Sequence, residues 1–208
     1  MKYLAVNSTD NSEFNLNCYP SKKENTVANI LISHGLAEHS GRYHNFAEFL
    51  SISGFQVFTY DHRGHGQRIS NRNPKGVFAD HDGWKIVVSD LLCALNTVNR
   101  KYPHLKINLI GHSMGALIGL ACLQDTNKVN KFVMSGSFLQ SLIIQKLQSL
   151  VLSIESIRLG NMGYSNLMNF LVFGLFNKSI KNSQTPNDWL CCNQDIVNDY
   201  FRDPNCGF

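Results

Sequence analysis

Gly111-His112-Ser113-Met114-Gly115 sets a serine midway between two glycines in this 208-residue chain. A serine held in a tight strand-to-helix turn leaves little room two residues to either side, and glycine supplies that room. Such a turn lifts the hydroxyl clear of the sheet and places it at a helix N-terminus, where the helix dipole favours a developing negative charge. The spacing therefore predicts a nucleophile elbow, with Ser113 as the nucleophile and Gly111 and Gly115 as its flanking glycines.

The flanking sequence supplies the strand and the helix that this turn requires. Residues 107–110 are mostly apolar and predict a strand, and residues 116–123 predict a helix. Other patterns alternate in the same way: strands at 14–18, 27–32, 55–60 and 131–135, and helices at 46–52 and 84–98. The alternation predicts an α/β fold with a mostly parallel sheet and flanking helices, and with 14–18 as a half-buried edge strand.

After about residue 138 the alternation stops. Residues 138–176 have the pattern of two or three amphipathic helices rich in Leu, Ile and Phe, and a last helix is predicted at about 195–201. A chain of 208 residues with 43% apolar content is enough for one sizeable core. We therefore expect a single domain over 1–208, with the core at about 10–137 and a helical, cap-like segment at about 138–208.

Composition narrows the classes of partner and compartment. The net charge is only +4 and no block of like charge occurs, so we expect no nucleic-acid partner. Six cysteines without a C-x-x-C pair predict reduced, mostly buried thiols and no metal site. The N-terminus is too polar for a signal peptide and no apolar stretch is long enough to span a bilayer, so we expect a cytoplasmic chain. The oligomeric state stays open.

A second motif follows the predicted strand at 27–32. The stretch His34-Gly35-Leu36 begins a glycine-containing loop at the C-terminal edge of an inner strand. Such a loop can present a backbone N–H to the nucleophile, and the transition state of acyl transfer needs two donors around its oxyanion. We assign this oxyanion hole to the N–H groups of Leu36 and Met114, with Gly35 as the loop glycine.

Three ordered motifs carry a family resemblance: HGLAEHSGRY at 34–43, YDHRGHG at 60–66 and GHSMG at 111–115. Together they resemble the monoacylglycerol lipase and lysophospholipase group of α/β-hydrolases, also grouped as serine aminopeptidase S33-like, and the resemblance runs from about Phe14 to the end of the chain. It implies hydrolysis of a small acyl ester or lipid whose alcohol is a glycerol or glycerophosphate. It also implies that no metal or organic cofactor takes part. The family usually has glycine where Ala37 and Ala116 stand here.

The resemblance also predicts a catalytic base and acid that this sequence does not supply. In this fold the carboxylate and the histidine follow the serine in the chain, and no histidine occurs after His112. By resemblance, the chain lacks the last strands of the full fold and is C-terminally truncated. We interpret His34, His62, His65 and His112 as structural and assign neither acid nor base. Loss of a triad member lowers turnover by about four to six orders of magnitude, so we expect a nearly inactive chain.

Two functions stay open from the sequence. The first is a serine hydrolase of monoacylglycerol or lysophospholipid, acting through Ser113. The second is a non-catalytic remnant or lipid-binding module of the same fold. The apolar cap adds the hypothesis of a lipid-facing lid and of peripheral membrane contact, although core packing alone also explains its helical spacing.

Overall fold

The computed structural model describes residues 2–137, 141–160 and 162–208. It divides the chain into two compact units, Met1–Ser137 and Phe138–Phe208. The first unit contains β1 (Lys2–Asn7), β2 (Glu13–Tyr19), β3 (Asn29–Ser33), α1 (His44–Ile52), β4 (Gln56–Tyr60), α2 (Gly83–Lys101), β5 (Ile107–His112), α3 (Met114–Cys122) and β6 (Val129–Ser135). The second contains α4 (Leu142–Leu159), α5 (Asn166–Asn169), α6 (Leu175–Asn177) and α7 (Gln194–Arg202).

The sheet of the first unit has the strand order β1-β2-β4-β3-β5-β6. The pairs β4–β3, β3–β5 and β5–β6 are parallel, whereas β1–β2 and β2–β4 are antiparallel. Every residue of β3 is buried, because helices cover both faces of the central parallel strands. The predicted α/β fold with a mostly parallel sheet is confirmed.

The prediction of an edge strand at 14–18 is wrong. Residues 14–18 lie within β2, which is second from the edge of the sheet. Every residue of β1 pairs with β2, and β1 forms the edge. We did not predict β1 at all. An edge strand needs only one covered face, and β1 buries Val6 while its neighbours Ala5 and Asn7 stay exposed, which leaves a weak apolar pattern.

Two apolar clusters cover the two faces of the sheet. The larger lies under α2 and α3, where residues at three- and four-residue steps of α2 are buried: Val87, Leu91, Ala94, Leu95 and Val98. The smaller lies under α1, where Ala47 packs with Ile30, Ile32 and Val57. Successive strand residues point to opposite faces, so both clusters anchor β3, whose C-terminal end lies beside β5.

The far edge of the sheet is less covered. Within the described residues β6 pairs only with β5, and Val133 and Met134 are 52% and 41% exposed. The cysteines also depart from expectation, because only Cys122 is buried, whereas Cys191 and Cys192 are exposed in the loop before α7.

The second unit is helical, as the sequence predicted, and α7 covers the predicted last helix at 195–201, although residues 138–140 and 161 lie outside the described part. Its longest helix, α4, begins after Ser141, whose hydroxyl accepts from the Ile144 N–H, and ends at Gly160. A single π-helical turn separates α5 from α6. Across the residues that the structure describes, no helix has both the length and the apolar content to cross a bilayer.

Candidate active site

Ser113 lies at the turn where β5 ends and α3 begins, as the motif predicts. Its backbone has φ +49° and ψ −116°, a conformation that non-glycine residues rarely adopt. The Ser113 N–H donates to the carbonyl of Ser135 at 2.8 Å, which ties the turn to the end of β6. The turn therefore stores strain at the one residue that the sequence predicts as nucleophile.

The flanking glycines allow α3 to approach β3. A Cβ added to Gly115 would lie 2.2 Å from the carbonyl oxygen of Ser33 and 2.4 Å from that of His34, far inside van der Waals contact. One added to Gly111 would lie 2.6 Å from the Cα of Ala116. Both positions accept only glycine without movement of the backbone, so the G-x-S-x-G spacing follows from close packing of helix on strand.

The loop after β3 lies directly beside this turn. A Cβ on Gly35 would lie 3.2 Å from Cδ2 of His112 and 3.4 Å from the Cβ of Ser113. The structure thus brings together the two motifs that the sequence predicted to form one site, although β4 and β5 lie between them along the chain.

The backbone amides of this loop differ in their hydrogen bonding. The Gly35 N–H donates to Oε1 of Glu38 at 2.6 Å, and the Ala37 N–H donates to Nε2 of His65 at 3.3 Å. For the N–H groups of Leu36 and Met114 the structure records no acceptor among the described residues. These two amides are the donors that the sequence assigned to an oxyanion hole, and both are available to bind an oxygen atom.

Two residues of this site, Ala37 and Ala116, depart from the family pattern. Ala37 has φ +54°, in the left-handed region where glycine carries no steric penalty and other residues lose about 1 kcal/mol. The loop keeps this conformation with alanine. Ala116 is fully buried in the first turn of α3.

Three buried histidines pack against the loop. The rings of His34 and His62 are 4.4 Å apart between centroids, and those of His34 and His65 are 5.4 Å apart. His34 donates from Nδ1 to the Gly35 carbonyl at 2.7 Å and accepts at Nε2 from the His62 N–H at 3.0 Å. Burial lowers the pKa of all three side chains, to about 4 for His65. They are therefore neutral near pH 7. The rings of His34 and His65 hold backbone groups in place, and Nε2 of His62 lies 3.1 Å from the hydroxyl oxygen of Ser33.

Asp61 is a buried carboxylate that binds backbone amides of two loops. Its two carboxylate oxygens accept from the N–H groups of Ser40 at 2.7 Å and Gln67 at 2.8 Å. It therefore joins the loop after β3 to the loop after β4.

A buried ionic network holds the loop after β4. Arg63 is 3% exposed and donates to Asp90 at 2.8 Å and to Asp10 at 2.7 Å, and Arg68 donates to Asp90 at 2.8 Å. Hydrogen bonding to Arg63 holds the pKa of the Asp10 carboxyl far below its usual range. We did not predict this network, although one signal was present: Asp90 stands on the apolar stripe of α2, between Val87 and Leu91.

The predicted absence of a base beside the serine can be compared with the geometry. The structure records no hydrogen bond between Oγ of Ser113 and any other described residue. His112, its neighbour, lies with Nδ1 3.4 Å from Oγ of Ser135. Within either unit taken alone, the described residues include no group of three metal-ligating side chains close enough to share an ion.

Known proteins are similar to this chain in sequence or in fold. The rat monoglyceride lipase is 42% identical over 91 residues, which are 44% of this chain and 28% of that protein. The monoglyceride lipase homolog of Monkeypox virus is 40% identical over 96 residues, 46% of this chain and 33% of that protein. A solved carboxyl esterase from Bacillus coagulans, in complex with glycerol, has a TM-score of 0.79 at 21% identity, over 100% of this chain and 66% of that one.

The matched part of this chain thus covers about a third of the length of each of these two curated relatives. It covers less than two thirds of the length of the solved esterase. The likeness to the esterase shows the α/β-hydrolase fold. The family described as "Serine aminopeptidase, S33" matches residues 24–208, which is most of the chain. The protein therefore belongs to the serine aminopeptidase S33 family and has the α/β-hydrolase fold.

Proposed function

We propose that this protein is a carboxylic-ester hydrolase in which Ser113 attacks the acyl carbonyl of a monoacylglycerol or lysophospholipid. The observation that carries the proposal is the position of Ser113, strained at the N-terminus of α3 and next to a loop whose Leu36 N–H has no acceptor among the described residues. The named lipase relatives support the choice of an acylglycerol as substrate.

The chemistry follows from these groups. Oγ of Ser113 forms a bond to the carbonyl carbon, its proton passes to a base, and the carbonyl oxygen becomes an oxyanion. The N–H groups of Leu36 and Met114 donate to that oxyanion, and the dipole of α3 adds to its stabilisation. The alcohol then leaves with a proton, and water releases the acid from the acyl-enzyme.

The base and the acid are not assigned, because no described side chain is recorded in hydrogen-bonding contact with Oγ of Ser113. We therefore propose that the 208 residues alone keep only the residual catalysis of an oxyanion hole, about four to six orders of magnitude below a complete triad. A module that binds lipid without turnover is the alternative.

Active-site labelling tests the nucleophile. We expect a fluorophosphonate probe to label the purified chain slowly at Ser113, and Ser113→Ala to abolish labelling, because the probe needs a nucleophilic hydroxyl and a formed oxyanion hole. Ser135→Ala is the matched control, since it removes a neighbouring hydroxyl and should leave labelling intact. The readout is the labelled mass, with p-nitrophenyl butyrate hydrolysis measured in parallel.

Each result has a clear meaning. Equal labelling of Ser113→Ala would contradict the assignment of the nucleophile. No labelling of a folded chain would favour the lipid-binding alternative. Rapid turnover would contradict the expected inactivity and would mean that a histidine of this chain acts as base.

The proposal includes contact between the second unit and a lipid surface. One side of α4 carries an apolar stripe at helical spacing, and its residues are 55–88% exposed: Ile143, Leu147, Leu150, Ile154 and Ile157. An exposed apolar helix face of this length is typical of helices that lie in a membrane interface.

Vesicle co-sedimentation tests this contact. We expect Leu147→Asp with Leu150→Asp to weaken binding to phosphatidylcholine vesicles at least tenfold, because two carboxylates enter the stripe that would be buried in lipid. Gln148→Asp is the control, since it adds a carboxylate away from the stripe on the same helix. Equal losses for the double variant and the control would contradict the proposal.

A further inference from the structure

We propose that Glu38 and His65 are positioning residues that determine which backbone amide of the loop after β3 enters the oxyanion hole. The inference rests on the proposed function and deepens it. Three consecutive amides, those of Gly35, Leu36 and Ala37, lie in this loop. A side chain occupies the first and the third, and the middle one is left for the substrate.

Glu38 holds the first amide. Its Oε1 accepts both the Gly35 N–H at 2.6 Å and the hydroxyl of Tyr43 at 2.7 Å, and its Oε2 lies 3.4 Å from Nε of Arg42. Charged acceptors form the stronger class of hydrogen bonds, and Glu38 is 7% exposed, so little solvent competes for it. The contact is local, because the carboxylate folds back onto the loop that contains it.

His65 holds the third amide from another loop. Its Nδ1–H donates to the Arg63 carbonyl at 2.8 Å, which places the proton on Nδ1 and leaves Nε2 as an acceptor. Nε2 then accepts the Ala37 N–H at 3.3 Å. This bond also stabilises Ala37 in its left-handed conformation, which a residue with a Cβ otherwise disfavours.

The arrangement has a chemical consequence for Ser113. Gly35 lies against Ser113, so an untethered Gly35 amide could rotate toward the reacting oxygen and displace the Leu36 amide. Displacement of an oxyanion donor by about 1 Å lowers reactivity about 10²-fold. Glu38 and His65 act on the substrate only through the loop, which distinguishes them from the amide donors themselves.

The experiment uses the full 208-residue chain and four variants. Glu38→Ala and His65→Ala remove the acceptors of the Gly35 and Ala37 amides. Glu38→Gln keeps a carbonyl acceptor of the same length and serves as the conservative rescue. Ser51→Ala removes a hydrogen bond from a buried side chain to the Pro20 carbonyl that involves none of the loop amides, and so reports the cost of a merely structural bond.

Two readouts are measured for each protein. The first is amide hydrogen exchange by NMR, in which we expect the wild-type Leu36 amide to exchange about tenfold faster than its two neighbours. Glu38→Ala should remove protection from Gly35, and His65→Ala from Ala37. The second is the rate of fluorophosphonate labelling, which we expect to fall about 10²-fold in both alanine variants and to stay within about threefold of wild type in Glu38→Gln and Ser51→Ala.

The two readouts separate this inference from the proposed function. A wild-type chain that is never labelled would contradict the proposed function, and the exchange pattern would still decide the inference. Equal exchange of the three wild-type amides would overturn the inference whatever the labelling. So would Ser51→Ala matching Glu38→Ala in both readouts, because the effect would then be loss of stability alone.

Discussion

Replacing Asp90 by alanine should lower the free energy of unfolding by about 3–5 kcal/mol, a large share of the stability of a domain of this size. Asp90 is 1% exposed and accepts from two arginines, Arg63 and Arg68, each at 2.8 Å. The variant leaves Arg68 without its carboxylate partner and leaves the buried Arg63 with Asp10 as its one remaining carboxylate. Removing one partner from a buried ion-pair network is among the more destabilising changes known for a single residue.

Urea unfolding followed by circular dichroism measures this change. Asp80→Ala is the matched control, because Asp80 is exposed and the same substitution there should alter the unfolding free energy by no more than about 0.5 kcal/mol. If Asp90→Ala unfolds at the same urea concentration as Asp80→Ala, the network contributes little to stability. The network joins α2, the loop after β4 and the turn between β1 and β2, so we expect fluorophosphonate labelling of Ser113 to be lost together with stability.

The elbow was predictable because its cause is local. Gly111 and Gly115 mark the steric limits of a five-residue turn, and the strand and helix on either side are mostly apolar. The buried ion pairs were not predictable in the same way. Arg63 and Asp10 are 53 positions apart, and only the register of β1 on β2 brings the turn that carries Asp10 to the network.

Glu38 shows an intermediate case. Glu38 lies inside the motif at 34–43. Its role as an acceptor depends on which backbone amides of the loop point toward its carboxylate. That direction follows from the left-handed backbone of Ala37, which no side-chain pattern encodes, and the family's glycine at this position was the only hint. The acid and the base stay unassigned for a different reason, because no described contact of Ser113 identifies them.

The free energy of unfolding should fall by about 3 kcal/mol between pH 6.5 and pH 4 through His65 alone. Burial, and next the neighbouring His34, lower the pKa of His65 from 6.5 to about 4, while Asp61 and the Arg63 carbonyl oppose the shift. Between pH 6.5 and pH 4, His65 is protonated in the unfolded chain but stays neutral in the folded chain. Acid therefore favours the unfolded state, and the contribution is complete only above the unfolded pKa. His34 and His62, whose pKa values burial also lowers, steepen the same slope.

Urea unfolding at pH 7, 5.5 and 4.5 tests this dependence. His65→Gln should be less stable than wild type at pH 7, because the side chain no longer fits between the Arg63 carbonyl and the Ala37 amide, but it should lose less stability as the pH falls. His104→Gln removes an exposed histidine and should keep the wild-type slope. Parallel slopes for all three proteins would contradict a neutral, buried His65. The neutral Nε2 of His65 also accepts the Ala37 N–H. We therefore expect the labelling of Ser113 in wild type to decline together with stability as the pH falls. His104→Gln should show the same decline.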